Sequence, residues 1–181
     1  MKRRYKLGFI ARPREQEKPD PPVNYYVNPE LAGGAPSTPG NSNPPTGHTI
    51  GFGTINSQPL DNGDGTFNWQ CNQEQADGRT FLAYEISTNN PDLQVGDKVK
   101  FIYDVENKSD STSLLCLTVT GVSNVVQTII NSSVPVGQKR TVSLNLEITA
   151  LPYTAQVRVG TGVTSNNIMW LEISNPRMYY I

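Results

Sequence analysis

The sequence predicts an all-β fold, an antiparallel β-sandwich or a barrel, preceded by an extended N-terminal arm. Short segments alternate between apolar and polar residues, and turn residues separate them at regular spacing. Nine of the 14 prolines precede His48. We therefore expect a basic, proline-rich arm and linker over residues 1–47 and one β-sandwich domain over residues 48–181.

Nine strands are expected in the β-domain. Alternation is clearest from Val99 to Val105 and from Val142 to Ile148, where every second residue is apolar. Gly- and Asn-rich turns separate the strands, and no segment has sustained helical periodicity. The expected strands are Thr49–Asn56, Gly65–Cys71, Arg79–Ser87, Asp97–Asn107, Ser113–Val122, Val125–Ile130, Arg140–Thr149, Thr154–Gly160 and Ile168–Ser174.

The arm begins with a run of basic residues. Residues 1–14 carry +6 and the chain carries −1, which leaves −7 on residues 15–181. A basic segment on an acidic body is expected to contact an acidic protein surface or nucleic acid. Three alternating apolar residues inside it could add as an edge strand to a neighbour's sheet. The expected anchoring residues are Lys2, Arg3, Arg4, Tyr5, Lys6, Leu7, Phe9, Arg12 and Arg14.

The rest of the arm is rich in Pro, Gly and Asn, which predicts a semi-rigid extended linker. It contains one apolar island, Tyr25–Leu31, which we expect to dock onto the β-domain. No apolar run has the length of a signal peptide or a membrane span, so we expect neither standard export nor membrane insertion.

Three segments resemble carbohydrate-binding-module-type jelly rolls. The stretch Leu93–Val105 is similar to their turn and long strand, Asn167–Met178 is similar to their last strand, and Asn28-Pro29-Glu30 resembles their opening. Such domains occur in glycosidases and in phage tail fibres and head decoration proteins. The resemblance covers most of residues 28–181, and it implies the fold more than the activity.

With the basic arm, this resemblance implies a phage virion structural protein. The leading hypothesis is a capsid decoration or cement protein that binds the major capsid protein or another virion subunit, assembles in the host cytoplasm and forms a trimer by analogy. The alternative is a tail-fibre or adhesin module that binds cell-surface carbohydrate. A secreted polysaccharide-binding accessory domain and a nonspecific nucleic-acid binder are further alternatives.

Enzymatic activity is not expected. The one histidine, His48, lies at the junction of linker and first strand, and the chain has no Gly-x-Ser-x-Gly motif. A glycosidase would need a pair of carboxylates, for which we consider Asp104, Glu106, Glu147 and Glu172. No cofactor is expected, and we expect these carboxylates on solvated strand faces.

Metal binding has one weak candidate. The turn around Asp61 and Asp64 resembles part of a calcium loop, but its Asn-Gly and Asp-Gly pairs favour a tight hairpin, and Asn72 stands where an EF-hand needs a terminal Glu. Cys71 and Cys116 are either buried free thiols or a single disulfide.

Five aromatic residues could stack on a sugar ring, line a subunit interface or pack in the core. They are Trp69, Tyr84, Trp170, Tyr179 and Tyr180.

Overall fold

In the part of the chain that the structure describes, two five-stranded antiparallel sheets pack face to face. A computed structural model of the chain describes residues 22–35, 43–51, 55–73, 80–109, 113–120, 126–149, 156–161 and 169–181. The first 21 residues, with the anchoring residues expected there, lie outside this part of the chain. No helix among the described residues is long and apolar enough to cross a membrane.

The described elements are almost all β-strands. The strands are β1 His48–Gly51, β2 Ile55–Asp61, β3 Phe67–Gln73, β4 Thr80–Glu85, β5 Lys98–Asn107, β6 Ser113–Thr120, β7 Val126–Val134, β8 Lys139–Glu147, β9 Gln156–Thr161 and β10 Met169–Tyr180. One helical turn, α1 Ile86–Asn89, follows β4. The β9 sheet has the order β1-β4-β9-β6-β7, and the β5 sheet has the order β2-β3-β10-β5-β8.

The connections carry the chain repeatedly from one sheet to the other. β1, β4, β6, β7 and β9 belong to one layer, and β2, β3, β5, β8 and β10 belong to the other. Every pairing is antiparallel, for example Phe101 opposite both Leu144 and Met178. The predicted all-β jelly-roll sandwich is thus confirmed.

Several strand predictions differ from the structure, and one of them, Val125–Ile130, stops short of the end of β7 at Val134. The single strand expected over Thr49–Asn56 is two strands, β1 and β2, which lie in different sheets. The strand expected over Arg79–Ser87 ends earlier, at Glu85, where α1 begins. The last strand continues to Tyr180. A jelly roll bends between its sheets at such points, and local alternation does not record the bend.

The core lies between the sheets, and β5 sets its register. Phe101, Tyr103 and Val105 are fully buried, whereas Ile102 and Asp104 between them are only half-buried. This alternation places one face of β5 in the core and the other on the outside of the sandwich. Trp69 from β3 and Tyr84 from β4 are the largest fully buried side chains.

The apolar island of the linker docks onto this core. Tyr26 stacks on Tyr84 with 4.1 Å between ring centroids and meets Tyr103 edge-on at 5.8 Å. Leu31 is completely buried. Residues 22–35 therefore close one end of the sandwich, as the apolar side chains of Tyr25–Leu31 predicted.

The two cysteines belong to different sheets. Cys71 lies in β3 and Cys116 lies in β6. The structure does not describe their side chains, so the alternatives of free thiols and a disulfide both stay predictions.

Candidate functional site

The outward face of the β5 sheet carries a polar groove of about 490 Å³. Its floor is a row of side chains from three neighbouring strands, because Asp104 on β5 is directly opposite Ser174 on β10 and Thr141 on β8. We call it the Asp104 groove. It is lined by Pro29, Glu30, Asn62, Thr66, Phe67, Asn68, Asp104, Lys139, Ser174 and Asn175.

Three donors hold the carboxylate of Asp104. The Thr141 hydroxyl donates at 2.6 Å, the Asn175 amide at 3.0 Å and the Arg177 guanidinium at 3.2 Å. Burial alone would raise the pKa of Asp104. The hydrogen bonds and the positive charges of Arg177 and Lys139 outweigh it, so the pKa lies below its usual value. Asp104 is therefore a fixed, ionised part of the groove floor.

A bulge in β10 places Asn175 in the groove. The pairing of β10 with β5 shifts register between Ser174 and Arg177. Asn175 adopts a positive φ of 50°, a left-handed conformation that Asn tolerates better than most residues. Bulges of this kind redirect a side chain out of the regular alternation. Here the bulge turns the Asn175 amide towards Asp104.

The hairpin between β2 and β3 forms one wall. The amide of Asn62 donates to the Thr66 hydroxyl at 2.8 Å and to the Asn68 side chain at 3.1 Å. The carboxylates of Asp61 and Asp64 accept the backbone N–H groups of Gly63 and Thr66 within the same turn. Both acids, the weak calcium candidates, therefore stabilise the turn.

Hydrogen bonds from the Thr66 side chain and backbone lower the pKa of Asp64. Among the described residues no group of three or more His, Cys, Asp or Glu side chains could hold a metal ion.

A second wall comes from the linker. The carbonyl of Glu30 accepts the N–H of Phe67 at 3.1 Å, which fixes Glu30 beside β3. Asn28 and Leu31, which bracket Pro29 and Glu30, adopt positive φ values of 58° and 56°. A buried leucine in this conformation is strained, and the strain persists only where surrounding contacts impose it.

The residues with strained backbone therefore lie in or beside the Asp104 groove. In the described part of the chain, the non-glycine residues with positive φ are Asn28, Leu31 and Asn175. The first two fix one wall, and the third lies in the groove itself. Strained backbone of this kind concentrates at functional sites, which marks this groove as the candidate site.

A second polar row lies beside the groove. Glu172 on β10 is directly opposite Glu106 on β5, and the ammonium of Lys108 lies 2.8 Å from Glu106 and 3.6 Å from Glu172. The Asn68 amide also donates to Glu172. Glu147, in contrast, lies on β8 with a loose contact to Lys98 at 3.7 Å. Of the four carboxylates considered from the sequence, three therefore lie close together.

The outward face of the β9 sheet also carries polar side chains. Glu85 accepts hydrogen bonds from the Thr49 hydroxyl at 3.0 Å and from the Gln156 amide. These residues come from three adjacent strands, β1, β4 and β9. We call Thr49, Glu85 and Gln156 the Glu85 cluster. It lies on the opposite side of the sandwich from the Asp104 groove.

The five candidate aromatic residues occupy different surroundings. Trp69 and Tyr84 are fully buried in the core, so they present no ring face to a ligand. Trp170 and Tyr179 are half-buried, and Tyr180 is 45% exposed. The indole N–H of Trp170 finds no acceptor among the described residues.

The groove residues Phe67, Asn68 and Asn175 were not among the sequence-based candidates. Asn175-Pro176 interrupts the alternation of the last strand, and this was the one local signal of the bulge. The contact between Phe67 and Glu30 joins residues far apart in the chain, so no local pattern indicates it.

Comparison with known proteins gives structural relatives only. No protein-family model matches the chain, and no curated protein matches its sequence. Among solved structures, the CBM22-1 and GH10 modules of a Clostridium thermocellum xylanase 10B, complexed with xylohexaose, superpose with a TM-score of 0.58 at 13% identity. The match covers 75% of this chain and 26% of that one.

Two further structures extend the comparison. The CBM22-2 xylan-binding domain of a Paenibacillus barcinonensis xylanase 10C matches with a TM-score of 0.57 at 10% identity, over 75% of this chain and 92% of that domain. The enzymatically active domain of tailspike protein 4 from bacteriophage CBA120 matches with a TM-score of 0.52 at 10% identity.

The tailspike match covers 75% of this chain and 20% of the tailspike chain. This chain therefore spans about a fifth to a quarter of the xylanase and tailspike chains, but nearly all of the isolated binding domain. At these identities the likeness concerns the fold. The resemblance to carbohydrate-binding-module jelly rolls is confirmed at that level.

Proposed function

We propose that this chain is a non-catalytic carbohydrate-binding module whose glycan lies in the Asp104 groove. The observation that carries the proposal is the groove's lining, in which amide, hydroxyl and carboxylate groups stand together with the apolar residues Phe67 and Pro29. A sugar presents hydroxyl groups that both donate and accept, and C–H faces that pack on apolar surface. Grooves that combine a few fixed polar groups with apolar wall suit such ligands.

The groove offers both kinds of contact. The Ser174 hydroxyl and the Lys139 ammonium face it, and neither has a hydrogen bond or ion pair among the described residues. Phe67 and Pro29 supply apolar wall. A sugar hydroxyl could therefore accept from Lys139 and exchange a hydrogen bond with Ser174 while a ring face packs against Phe67.

The polar groups are also held in place before a ligand arrives. Asp104 is fixed by three donors, and Asn68 is tied to both Asn62 and Glu172. Groups that need no reordering lose little conformational entropy on binding, which favours affinity. The fold of the xylan-binding domains is consistent with this role.

The test begins with a glycan array probed with the full chain, followed by calorimetric titration of the best glycan. We expect Lys139→Ala and Ser174→Ala each to weaken binding by about 5- to 10-fold, the loss of roughly one hydrogen bond. Lys100→Ala is the matched control, because Lys100 also points outward from the β5 sheet but does not line the groove.

One further variant tests the opposite face. Thr49→Ala changes the Glu85 cluster and should leave the affinity unchanged. Strong binding that survives both groove variants but is lost with Thr49→Ala would place the glycan on the β9 sheet. A chain that binds no glycan at all would overturn the proposed function.

We further propose that the module is displayed on a phage virion and held there by its basic arm. The six basic residues of residues 1–14 and the tailspike's similar fold support this proposal. A tail-fibre or adhesin location fits a glycan-binding module. A head decoration or cement protein on the major capsid protein is the second candidate, favoured by the arm's charge.

Deletion of residues 1–21 separates attachment from glycan binding. The deleted segment precedes every described residue, so we expect glycan binding to persist while occupancy on phage particles falls. Binding to isolated heads rather than tails would favour the cement role. Wild-type occupancy without residues 1–21 would refute attachment through the arm.

A further inference from the structure

Large apolar side chains are exposed together at one end of the sandwich. There residues 22–27 run beside the last residues of β10. The exposed fractions range from 38% to 63%, values typical of surface rather than core. We call this set the apolar end patch, and it consists of Val23, Tyr25, Val27, Tyr180 and Ile181.

Ring and backbone contacts hold the patch in a fixed arrangement. The Tyr25 ring meets the Tyr180 ring edge-on with 5.0 Å between centroids. The backbone N–H of Tyr25 donates to the carbonyl of Met178 at 2.9 Å, and the N–H of Ile181 donates to the carbonyl of Lys98 at 2.9 Å.

The residues between the exposed apolar ones are tied to the domain. Asn24, although exposed, bonds to the backbone of Met178 and Pro176, and Tyr26 is buried. Val23, Tyr25 and Val27 therefore share the outward side of an extended segment. The conformation that exposes them is fixed by contacts to the core.

Acidic residues flank the patch. Partial burial raises the pKa of Tyr180, and the nearby charges of Asp97 and Asp92 raise it further. Neither acid has an ion-pair partner among the described residues, although the Asp97 carboxylate accepts the N–H of Gln94 at 2.7 Å. The neighbouring cation, Lys98, is directed to Glu147. The patch is therefore apolar with a negative rim.

We propose that the apolar end patch is the docking site for the arm segment Tyr5–Phe9 of a second copy of this chain. Tyr5, Leu7 and Phe9 would cover the apolar side chains. Lys6, which lies between them, would meet Asp92 and Asp97, and the other basic residues of residues 1–14 lie outside the docked segment. An acidic partner surface would be repelled by the same rim, whereas this segment is both apolar and basic.

The spacer sequence favours a second copy over the chain's own arm. Residues 15–21 separate the basic segment from Pro22, and Pro19, Pro21 and Pro22 favour extended backbone. Seven residues of extended backbone would span roughly 25 Å, so this sequence is expected to hold the basic segment away from the patch beside Pro22. Docking in trans also makes the association depend on concentration and salt.

The test uses sedimentation of the full chain over a range of concentrations and two salt concentrations. We expect concentration-dependent oligomers that weaken at high salt. Leu7→Ser with Phe9→Ser, and separately Val23→Ser with Ile181→Ser, should each weaken association at least 10-fold. Val136→Ser is the matched control, since Val136 is 51% exposed in a turn outside the patch.

A synthetic peptide of residues 1–14 gives an independent readout. It should bind the arm variant and dissociate oligomers of the wild-type chain, and Asp92→Asn should weaken its binding. A chain that stays monomeric at all concentrations, or oligomers that survive both double variants, would overturn the proposal. Glycan binding is a separate outcome, because no residue of the patch lines the Asp104 groove.

Discussion

The hydroxyl of Tyr26 lies 2.7 Å from Nε2 of His48, and both groups are buried at the end of the sandwich. Nδ1 of His48 lies 3.0 Å from the carbonyl of Thr46, which can only accept. In the neutral ring Nδ1 therefore carries the proton, and Nε2 accepts from Tyr26. The contact joins the docked linker to the first strand, and it depends on a neutral histidine.

Acid should weaken the fold through His48. Burial lowers its pKa from 6.5 to about 4. Between these values the unfolded chain binds a proton that the folded chain does not, so stability falls as pH drops from 6.5 to 4. A shift of this size corresponds to a loss of about 3 kcal/mol. Urea unfolding at a series of pH values measures it.

A variant without an ionisable ring isolates that effect. His48→Gln should be less stable at pH 7 but show a flatter pH dependence between 6.5 and 4. Asp104 acts in a different range. Because the pKa of Asp104 is lowered in the folded chain, Asp104 stabilises the fold at any pH above the usual aspartate pKa. This stability is lost as the pH falls below that pKa. An unchanged slope in His48→Gln would mean that other groups set the acid sensitivity.

Leu31→Ala should be strongly destabilising although Leu31 belongs to the linker. Its side chain is completely buried. Truncating a buried leucine to alanine costs about 2–5 kcal/mol, and alanine does not relieve the positive φ. Val136→Ala in an exposed turn should change stability by less than about 0.5 kcal/mol. Equal effects of the two variants would contradict docking of the linker.

Gly34→Ala tests how closely the linker packs on β3. A Cβ atom at Gly34 would lie 2.5 Å from Cζ3 of Trp69, and Trp69 is fully buried. The indole ring has no room to withdraw, so we expect a loss of about 1–3 kcal/mol in chemical unfolding. Ala35→Ser, at an exposed neighbour, is the control. A neutral result for Gly34→Ala would show that the linker can move away.

Asp104 and Arg177 should be energetically coupled. Arg177 donates to Asp104 at 3.2 Å, and both side chains are mostly shielded from solvent. A double-mutant cycle with Asp104→Asn and Arg177→Gln should give a coupling of about 0.5–3 kcal/mol at pH 7. Lys98 and Glu147, exposed and 3.7 Å apart, form the comparison pair and should couple by less than about 1 kcal/mol.

Several elements could be predicted because their signals are local. The alternation of β5 and β8 indicated two half-buried strands, and the Asn-Gly and Asp-Gly pairs indicated the hairpin between β2 and β3. The same local logic failed at Thr49–Asn56, where alternation continues while the chain passes from one sheet to the other.

The candidate site was largely beyond sequence reasoning. From the sequence, Trp69 and Tyr84 were candidates for stacking on a sugar ring, but both side chains are buried in the core. Phe67 and Glu30, far apart in the chain, meet at the groove through a backbone hydrogen bond, and a bulge redirects Asn175 into it. Such contacts depend on strand pairing, which the pattern of one strand does not specify.

Side-chain alternation, proline crowding and turn chemistry are properties of short segments. For this reason the sequence by itself determined an all-β domain, the approximate position of most strands and a basic segment ahead of them. Only the tertiary structure decided which strands share a sheet, and that Asp104 meets Arg177 and Leu31 enters the core. Those outcomes rest on contacts between residues far apart in the chain, whose free energy exists only once the whole sandwich is assembled.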